Sequence, residues 1–315
     1  MKTISMENLN KEKWAFIVNP IAGNKSAVMV LPVLKQKIKE YNIDATIVMT
    51  ERKGHATELS EQFLNEGYGQ IIAVGGDGTM NEVGRVLIDN PNVISGIVPC
   101  GTGNDFIQIL GYPDRFGDDE WRIFFEKNLV DLDTGSCNGR PFLNGLGLGF
   151  DGVVAAKNYD ESGDVKLGGK VKYIWMILET LLFFREKSAV ITSNGKTDTT
   201  TCFMNTIANG RRHAATFLLT PEAIGNDGYL SVCLIRKLNF FQRLKIFTMV
   251  PKGTHIKDRN VTTYKTKELT LEFQEEVPFH VDGEVFFAKK YHAKIHPASL
   301  KMIFNPQGPH FLNVD

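Results

Sequence analysis

From Gln70 the chain reads as a short apolar run, Gln70–Val74, then the turn Gly75-Gly76-Asp77-Gly78-Thr79, then an amphipathic helix over Met80–Ile88. A buried strand that passes through three glycines straight into a helix constrains the fold more than any other feature. Glycine permits tight backbone approach, and the amides at the start of a helix form a natural anion site. Taken alone, the turn is also compatible with a plain structural connection.

The flanking sequence repeats the pattern. Trp14–Val18 is a strand closed by Asn19-Pro20 and Gly23, and Ser26 is a plausible N-cap for a helix carrying Val30, Leu34 and Ile38 at i, i+4, i+8. Ala45–Met49 is a strand, His55–Leu64 a helix and Ser95–Pro99 a strand. Such alternation predicts a mostly parallel sheet with right-handed crossovers, a doubly wound α/β domain. Ligands bind at the carboxyl ends of such strands, where the loops Asn19–Ser26, Gly75–Asn81 and Gly101–Phe106 would gather.

Past residue 134 the texture changes. Short β-branched and aromatic runs, among them Ala189–Thr192, Cys202–Ala208, Tyr229–Ile235 and Lys267–Phe273, alternate with turns such as Asn194-Gly195 and Asp282-Gly283. This predicts an antiparallel β-sandwich, with helices near Tyr173–Arg185 and Phe240–Pro251. The expected domains are 1–134 and 135–302, with 303–315 returning to the first.

Composition excludes several functions. The 315 residues carry 36 Lys and Arg against 36 Asp and Glu, so no global field favours nucleic acid. Residues 1–134 hold a net charge of −6 and residues 135–315 one of +6. The four cysteines lie far apart and read as reduced thiols in a cytoplasmic protein. The polar start lacks a signal-peptide core, and the most apolar stretch, Val171–Phe184, is interrupted by Lys172 and Glu179. Membrane contact is therefore expected to be peripheral. Gly23-Asn24-Lys25-Ser26 is not a Walker loop, and Gly145-Leu-Gly-Leu-Gly149 lacks the helix pattern of a dinucleotide fingerprint. His292 and His296 read as surface residues.

Beyond the Ser95–Pro99 strand lies Gly101-Thr102-Gly103-Asn104-Asp105-Phe106. The ordered series Asn19-Pro20 to Gly23, then GGDGT, then GTGNDF resembles the diacylglycerol kinase catalytic family, which includes sphingosine, ceramide and bacterial lipid kinases. Asn226-Asp227-Gly228-Tyr229 resembles its Asp-Gly hairpin, and Asp282-Gly283-Glu284 its catalytic DGE. GGDGT alone is weakly specific, since NAD kinases and phosphofructokinases carry similar turns; the ordered set is strongly so. The chain is most similar to the stand-alone bacterial enzymes.

The resemblance implies ATP and Mg²⁺ as cofactors. It places Gly75, Gly76, Asp77, Gly78, Thr79 and Asn81 around the phosphates, and Asn19, Thr50 and Thr102 as further nucleotide contacts. Asp77 and Asp105 are expected to hold Mg²⁺ directly or through water, with Arg52 and Lys53 neutralising remaining charge. Glu284 corresponds to the proton acceptor and Asp282 to its partner, able to raise its pKa or share its proton. A second, structural Mg²⁺ would be held by the Asp227 carboxylate and the carbonyls of Ile224 and Tyr229. These roles imply transfer of the γ-phosphoryl group to a lipid hydroxyl, with diacylglycerol as the leading acceptor. The basic half, including Arg211-Arg212-His213, reads for the most part as solvated charge; together with Trp175, Phe183, Phe184, Phe240 and Phe241 it would contact an anionic membrane surface, with core packing the ordinary role for most of those aromatics. A homodimer is compatible with the sequence. The rival readings are an NAD kinase and a non-catalytic nucleotide-binding regulator; GTGNDF and the retained carboxylates weigh against them.

Overall fold

A computed structural model describes residues 13–158 and 170–314. The polar start, Met1–Glu12, lies outside the described residues. The chain divides into two compact units, Met1–Leu132 with Ala298–Asp315, and Asp133–Pro297.

In the first unit, β1 (Trp14–Val18), α1 (Ala22–Glu40), β2 (Ala45–Met49), α2 (His55–Asn65), β3 (Gln70–Gly75), α3 (Asp77–Leu87), β4 (Ile94–Pro99) and α4 (Asp118–Phe125) follow in order. The strands are parallel, in the order β4-β3-β1-β2, with Trp14 opposite both Ala45 and Gln70 and Gln70 opposite Ile94. Every residue of β1, β3 and β4 is buried, which is why these strands read as unbroken apolar runs: a parallel sheet is covered on both faces. The sequence showed no sign of α4 in its apolar pattern. It is fixed by Gly117, whose N–H donates to Glu120 Oε2 at 2.8 Å, and by aromatic packing of Trp121, Phe124 and Phe125 around Trp14.

The second unit takes over within β5 (Leu129–Cys137) and continues through β6 (Arg140–Phe142), β7 (Gly145–Gly149), α5 (Phe150–Asn158), α6 (Lys170–Phe183), β8 (Lys187–Ser193), β9 (Lys196–Ala208), β10 (Arg212–His213), β11 (Phe217–Leu218), β12 (Leu230–Arg236), α7 (Phe240–Met249), β13 (Val261–Thr266), β14 (Glu268–Val281) and β15 (Glu284–Ile303). From Ala298 onward β15 belongs to the first unit, where Met302 pairs with Ser95 of β4. The strands of the second unit are antiparallel, in the order β13-β12-β9-β7-β14-β15. β7 and β8 each bridge β9 and β14, at opposite ends of those long strands. Leu146, Leu148, Ile207, Phe279, Val281 and the fully buried Tyr291 belong to the core they enclose. A second apolar cluster joins the helices to the sheet through Phe150, Ile177, Phe203 and Ile235.

Two expectations need correcting. A helix does follow the Gly145–Gly149 strand at once, as α5. Its Gly152 and adjacent Val153-Val154 are poor helix formers, and close packing rather than propensity holds it, since a Cβ on Gly152 would stand 2.3 Å from the Pro278 carbonyl oxygen. Nor is Arg211-Arg212-His213 a solvated basic cluster. Arg211 Nε donates to the Ala223 carbonyl at 2.7 Å, Arg212 Nη2 to that of Ala215 at 2.8 Å, and His213 is buried.

Candidate active site

The three glycine loops of the first unit meet. A Cβ on Gly76 would lie 2.9 Å from Gly101 Cα, and one on Gly101 2.5 Å from Gly76 Cα, so the GGDGT and GTGNDF backbones are in direct contact. Gly23, at φ +56°, is pressed on the Cys100 carbonyl oxygen, which brings the first loop to the third. Asn19 Nδ2 donates to Thr79 Oγ1 at 3.1 Å, and the Asn19 N–H to the Val74 carbonyl at 3.0 Å, which ties the first loop to the second. Thr79 and Asn81 are buried in the first turns of α3, while Thr102 is exposed on the third loop. Thr50 is anchored at the end of β2 by donating its N–H to the Val18 carbonyl at 2.8 Å.

Asp77 opens α3, yet its carboxylate is turned to the third loop. Oδ2 accepts the Asp105 N–H at 3.1 Å and Oδ1 the Phe106 N–H at 2.9 Å, capping the short 3₁₀ turn Phe106–Leu110. Burial pushes this carboxyl above its ordinary range, and the accepted N–H groups oppose that shift. Asp105 is also buried within the same cluster. Arg52, expected to face phosphate, pairs instead with Glu58 at 2.7 Å.

Two residues in this unit escaped the sequence reading. Arg115 Nη1 donates to the carbonyls of Asp114 at 2.8 Å and Gly101 at 3.2 Å, and Nη2 stands 3.5 Å from Ser26 Oγ, so a guanidinium lies beside the first and third loops. Glu82 accepts the N–H groups of Gly54 at 3.0 Å and Ala56 at 3.1 Å, holding the segment after Thr50 against α3. Neither sits in a glycine motif; the only signal for Glu82 was its place on the inner face of a helix.

In the second unit, Asp282 (φ +44°) and Gly283 (φ +87°) form the two-residue turn between β14 and β15, with Val281 opposite Glu284. The Asp282 carboxylate is bound up in backbone contacts. Its oxygens accept three backbone N–H groups, from Leu143 at 2.7 Å, Asn144 at 3.1 Å and Gly145 at 2.8 Å, and burial pushes its carboxyl up to about 6. Glu284 is partly exposed at the start of β15.

Asp227 Oδ1 accepts the Tyr229 N–H at 3.1 Å, while Oδ2 forms an ion pair with Lys265. Ile224 lies in the same loop, which is pinned by Asp133: its N–H donates to the Gly225 carbonyl at 2.9 Å and its carboxylate accepts the Gly228 N–H at 2.6 Å. The buried Asp133 was also missed, hidden in an alternating strand pattern. Among the described residues no three acidic, histidine or cysteine side chains converge as metal ligands.

A glycine-lined α/β edge and, in the same chain, a second unit bearing a DGE hairpin are the plan that the resemblance to lipid kinases implies. The diacylglycerol kinase catalytic domain profile matches residues 13–137, and the YegS C-terminal NAD kinase β-sandwich-like domain profile matches 146–304. The chain belongs to the diacylglycerol kinase catalytic-domain family. It is 28% identical to a diacylglycerol kinase of Staphylococcus carnosus over 87% of this chain and 89% of that one, and 29% identical to a diacylglycerol kinase of Staphylococcus haemolyticus over 85% and 81%. In fold it is similar to the crystal structure of a diacylglycerol kinase from Bacillus anthracis, with TM-score 0.72 and 20% identity over 94% of this chain and 97% of that one.

Proposed function

We propose that the protein transfers the γ-phosphoryl group of ATP to the free hydroxyl of diacylglycerol, giving phosphatidic acid. The observation that carries this reading is the contact of the three glycine loops, at the place where a parallel sheet receives an anionic ligand. Gly75, Gly76, Gly78, Thr79 and Asn81 cradle the phosphates, with Asn19, Thr50 and Thr102 as further contacts with the nucleotide. Arg115 adds a cation beside the first and third loops.

The donor set around Asp77 and Asp105 fits Mg²⁺. Asp105 is buried and Asp77 half-buried, both are oxygen donors beside the phosphate loops, and Mg²⁺ in kinase sites takes one or two carboxylates with the remainder from phosphate and water. When bound there, Mg²⁺ neutralises charge on the phosphate oxygens. Asp77 stays on the Asp105 and Phe106 amides and keeps the second and third loops in register. Asp227, Ile224 and Tyr229 fit a second cation poorly, because the Lys265 ammonium already compensates the Asp227 carboxylate.

Glu284 accepts the proton of the acceptor hydroxyl as it attacks. Asp282, fixed on three amides, sets the turn that presents Glu284. The second unit also offers room for acyl chains in a cavity of about 390 Å³, walled by Leu148, Phe183, Phe184 and Val277, with Lys157 and Arg185 at its lining.

No helix among the described residues is long and apolar enough to cross a membrane. Trp175 is 70%, Phe183 71% and Phe241 79% exposed, apolar side chains suited to the surface of a bilayer. Phe184 is packed inward against Phe150 and Phe203, and Phe240 is less exposed than Phe241. We therefore place the chain in the cytoplasm, bound peripherally to an anionic leaflet. The test of the chemistry is Glu284→Gln: transfer of label from [γ-³²P]ATP to lipid should fall at least about 100-fold with nucleotide binding retained. Wild-type turnover in that variant contradicts the mechanism.

A further inference from the structure

The glycine at the centre of the Gly145–Gly149 segment is required by what surrounds it. A Cβ on Gly147 would fall 2.1 Å from Asp151 Oδ2 and 2.5 Å from His280 Nε2. Those two atoms are themselves 2.8 Å apart, forming a pair that closes over the bare strand. Gly147 lies directly opposite His280 in the β7–β14 ladder, and Asp151 sits in the first turn of α5, immediately beyond β7. α5 is in turn held on β14 by the close approach of Gly152 to the Pro278 carbonyl.

Two residues beyond His280, just past the end of the same strand, stands Asp282, whose carboxylate grips the amides of residues 143–145 where β7 begins. The end of β14 is thus fastened twice to the β7–α5 unit, once by Asp282 and once by His280. Glu284 follows across a turn of only two residues, so its place is inherited from both fastenings.

We propose that His280, held by Asp151, is a positioning residue for Glu284: the pair clamps the end of β14 so that the Asp282-Gly283 turn presents the Glu284 carboxylate to the acceptor hydroxyl. The proposal rests on the reading of Glu284 as proton acceptor. Its electrostatic side agrees with its geometry. The titratable groups that act on His280 are Asp151 on α5, Asp282 on its own hairpin and the buried His213 on β10, while β7 alongside offers only glycine and leucine. Burial pushes the His280 imidazole down, and the Asp151 carboxylate more than restores it, so the ring sits above its ordinary value. The imidazolium opposes the upward shift that burial imposes on Asp282. Burial likewise drives His213 down to about 4, leaving it neutral beside the pair.

The test measures kcat and KM for diacylglycerol across the neutral pH range in His280→Ala, His280→Gln, Asp151→Asn and the double variant His280→Ala/Asp151→Asn, with thermal melting of each and Glu284→Gln alongside. His280→Ala and Asp151→Asn should each lower kcat about 10- to 100-fold with KM little changed, as small misplacement of a reacting group does. The double variant should lose no more than either alone, because both remove one contact. His280→Gln keeps a donor toward Asp151 without the charge. It should recover kcat at high pH while the acid limb moves to higher pH, Asp282 having lost its cationic neighbour. Folded His280→Ala and Asp151→Asn proteins with wild-type kcat and acid limb overturn the proposal. So do losses that follow the melting temperature alone, with turnover per folded molecule unchanged. An inactive Glu284→Gln beside an unaltered His280→Ala overturns positioning only, whereas an active Glu284→Gln removes the proton-acceptor reading and the proposal with it.

Discussion

Gly76 and Gly101 stand with their Cα atoms too close to admit a side chain on either residue. Glycine here provides closeness of two backbones, which is what lets two loops present amides to one anion. Gly76→Ala should therefore force the loops apart, costing about 1–3 kcal/mol by overpacking and weakening ATP binding together with stability. Calorimetric melting with and without ATP checks this, and an unshifted melt with normal ATP stabilisation contradicts it. Carboxylates at this scale divide by what surrounds them. Asp77 and Asp282 are taken up by backbone amides, whereas Glu284 begins a strand beside a turn and is partly exposed. Their residue types were legible in the sequence. Their hydrogen-bond partners were not, because each partner lies 28 or more positions away along the chain.

Among elements, strands with unbroken apolar runs and helices with clean periodicity were readable, since each satisfies a local rule. α4 and α5 were not. The first depends on aromatic contacts with Trp14 and the second on Gly152 lying against Pro278, both of them properties of tertiary packing. Arg115, Glu82 and Asp133 escaped for the same reason: each works by bridging to a distant loop. The Asp227 loop gives the sharpest consequence. On the reading that Lys265 is its counter-charge in place of a metal, EDTA should leave the melting temperature of the ATP-free protein unchanged. Lys265→Met strands a largely buried carboxylate and should destabilise by about 1–3 kcal/mol. A melt lowered by EDTA and restored by Mg²⁺ contradicts that assignment.

At the scale of the whole molecule, the acidic and basic halves follow the two jobs the function requires. A phosphate site can tolerate net negative charge because backbone amides, Arg115 and a hard cation meet the nucleotide locally. The basic half carries these exposed aromatic side chains, on α6 and α7. Arg243 of α7 donates to the Leu181 carbonyl at 2.6 Å and to Glu186 at 2.6 Å, a buried pair that locks the end of α6. Replacing Trp175, Phe183 and Phe241 together by Ser should sharply reduce sedimentation with anionic vesicles while leaving the melting temperature within a degree or so, since exposed apolar side chains contribute little to folding. Vesicle binding at the wild-type level shows that another surface meets the membrane.

The central claim is that ATP phosphorylates a lipid hydroxyl on this chain. The most direct measurement incubates the protein with [γ-³²P]ATP and Mg²⁺ in mixed micelles carrying diacylglycerol, ceramide, sphingosine or phosphatidylglycerol, with soluble NAD in parallel. Label in phosphatidic acid from diacylglycerol is the predicted result. Label in NAD, or in none of the five acceptors, contradicts it.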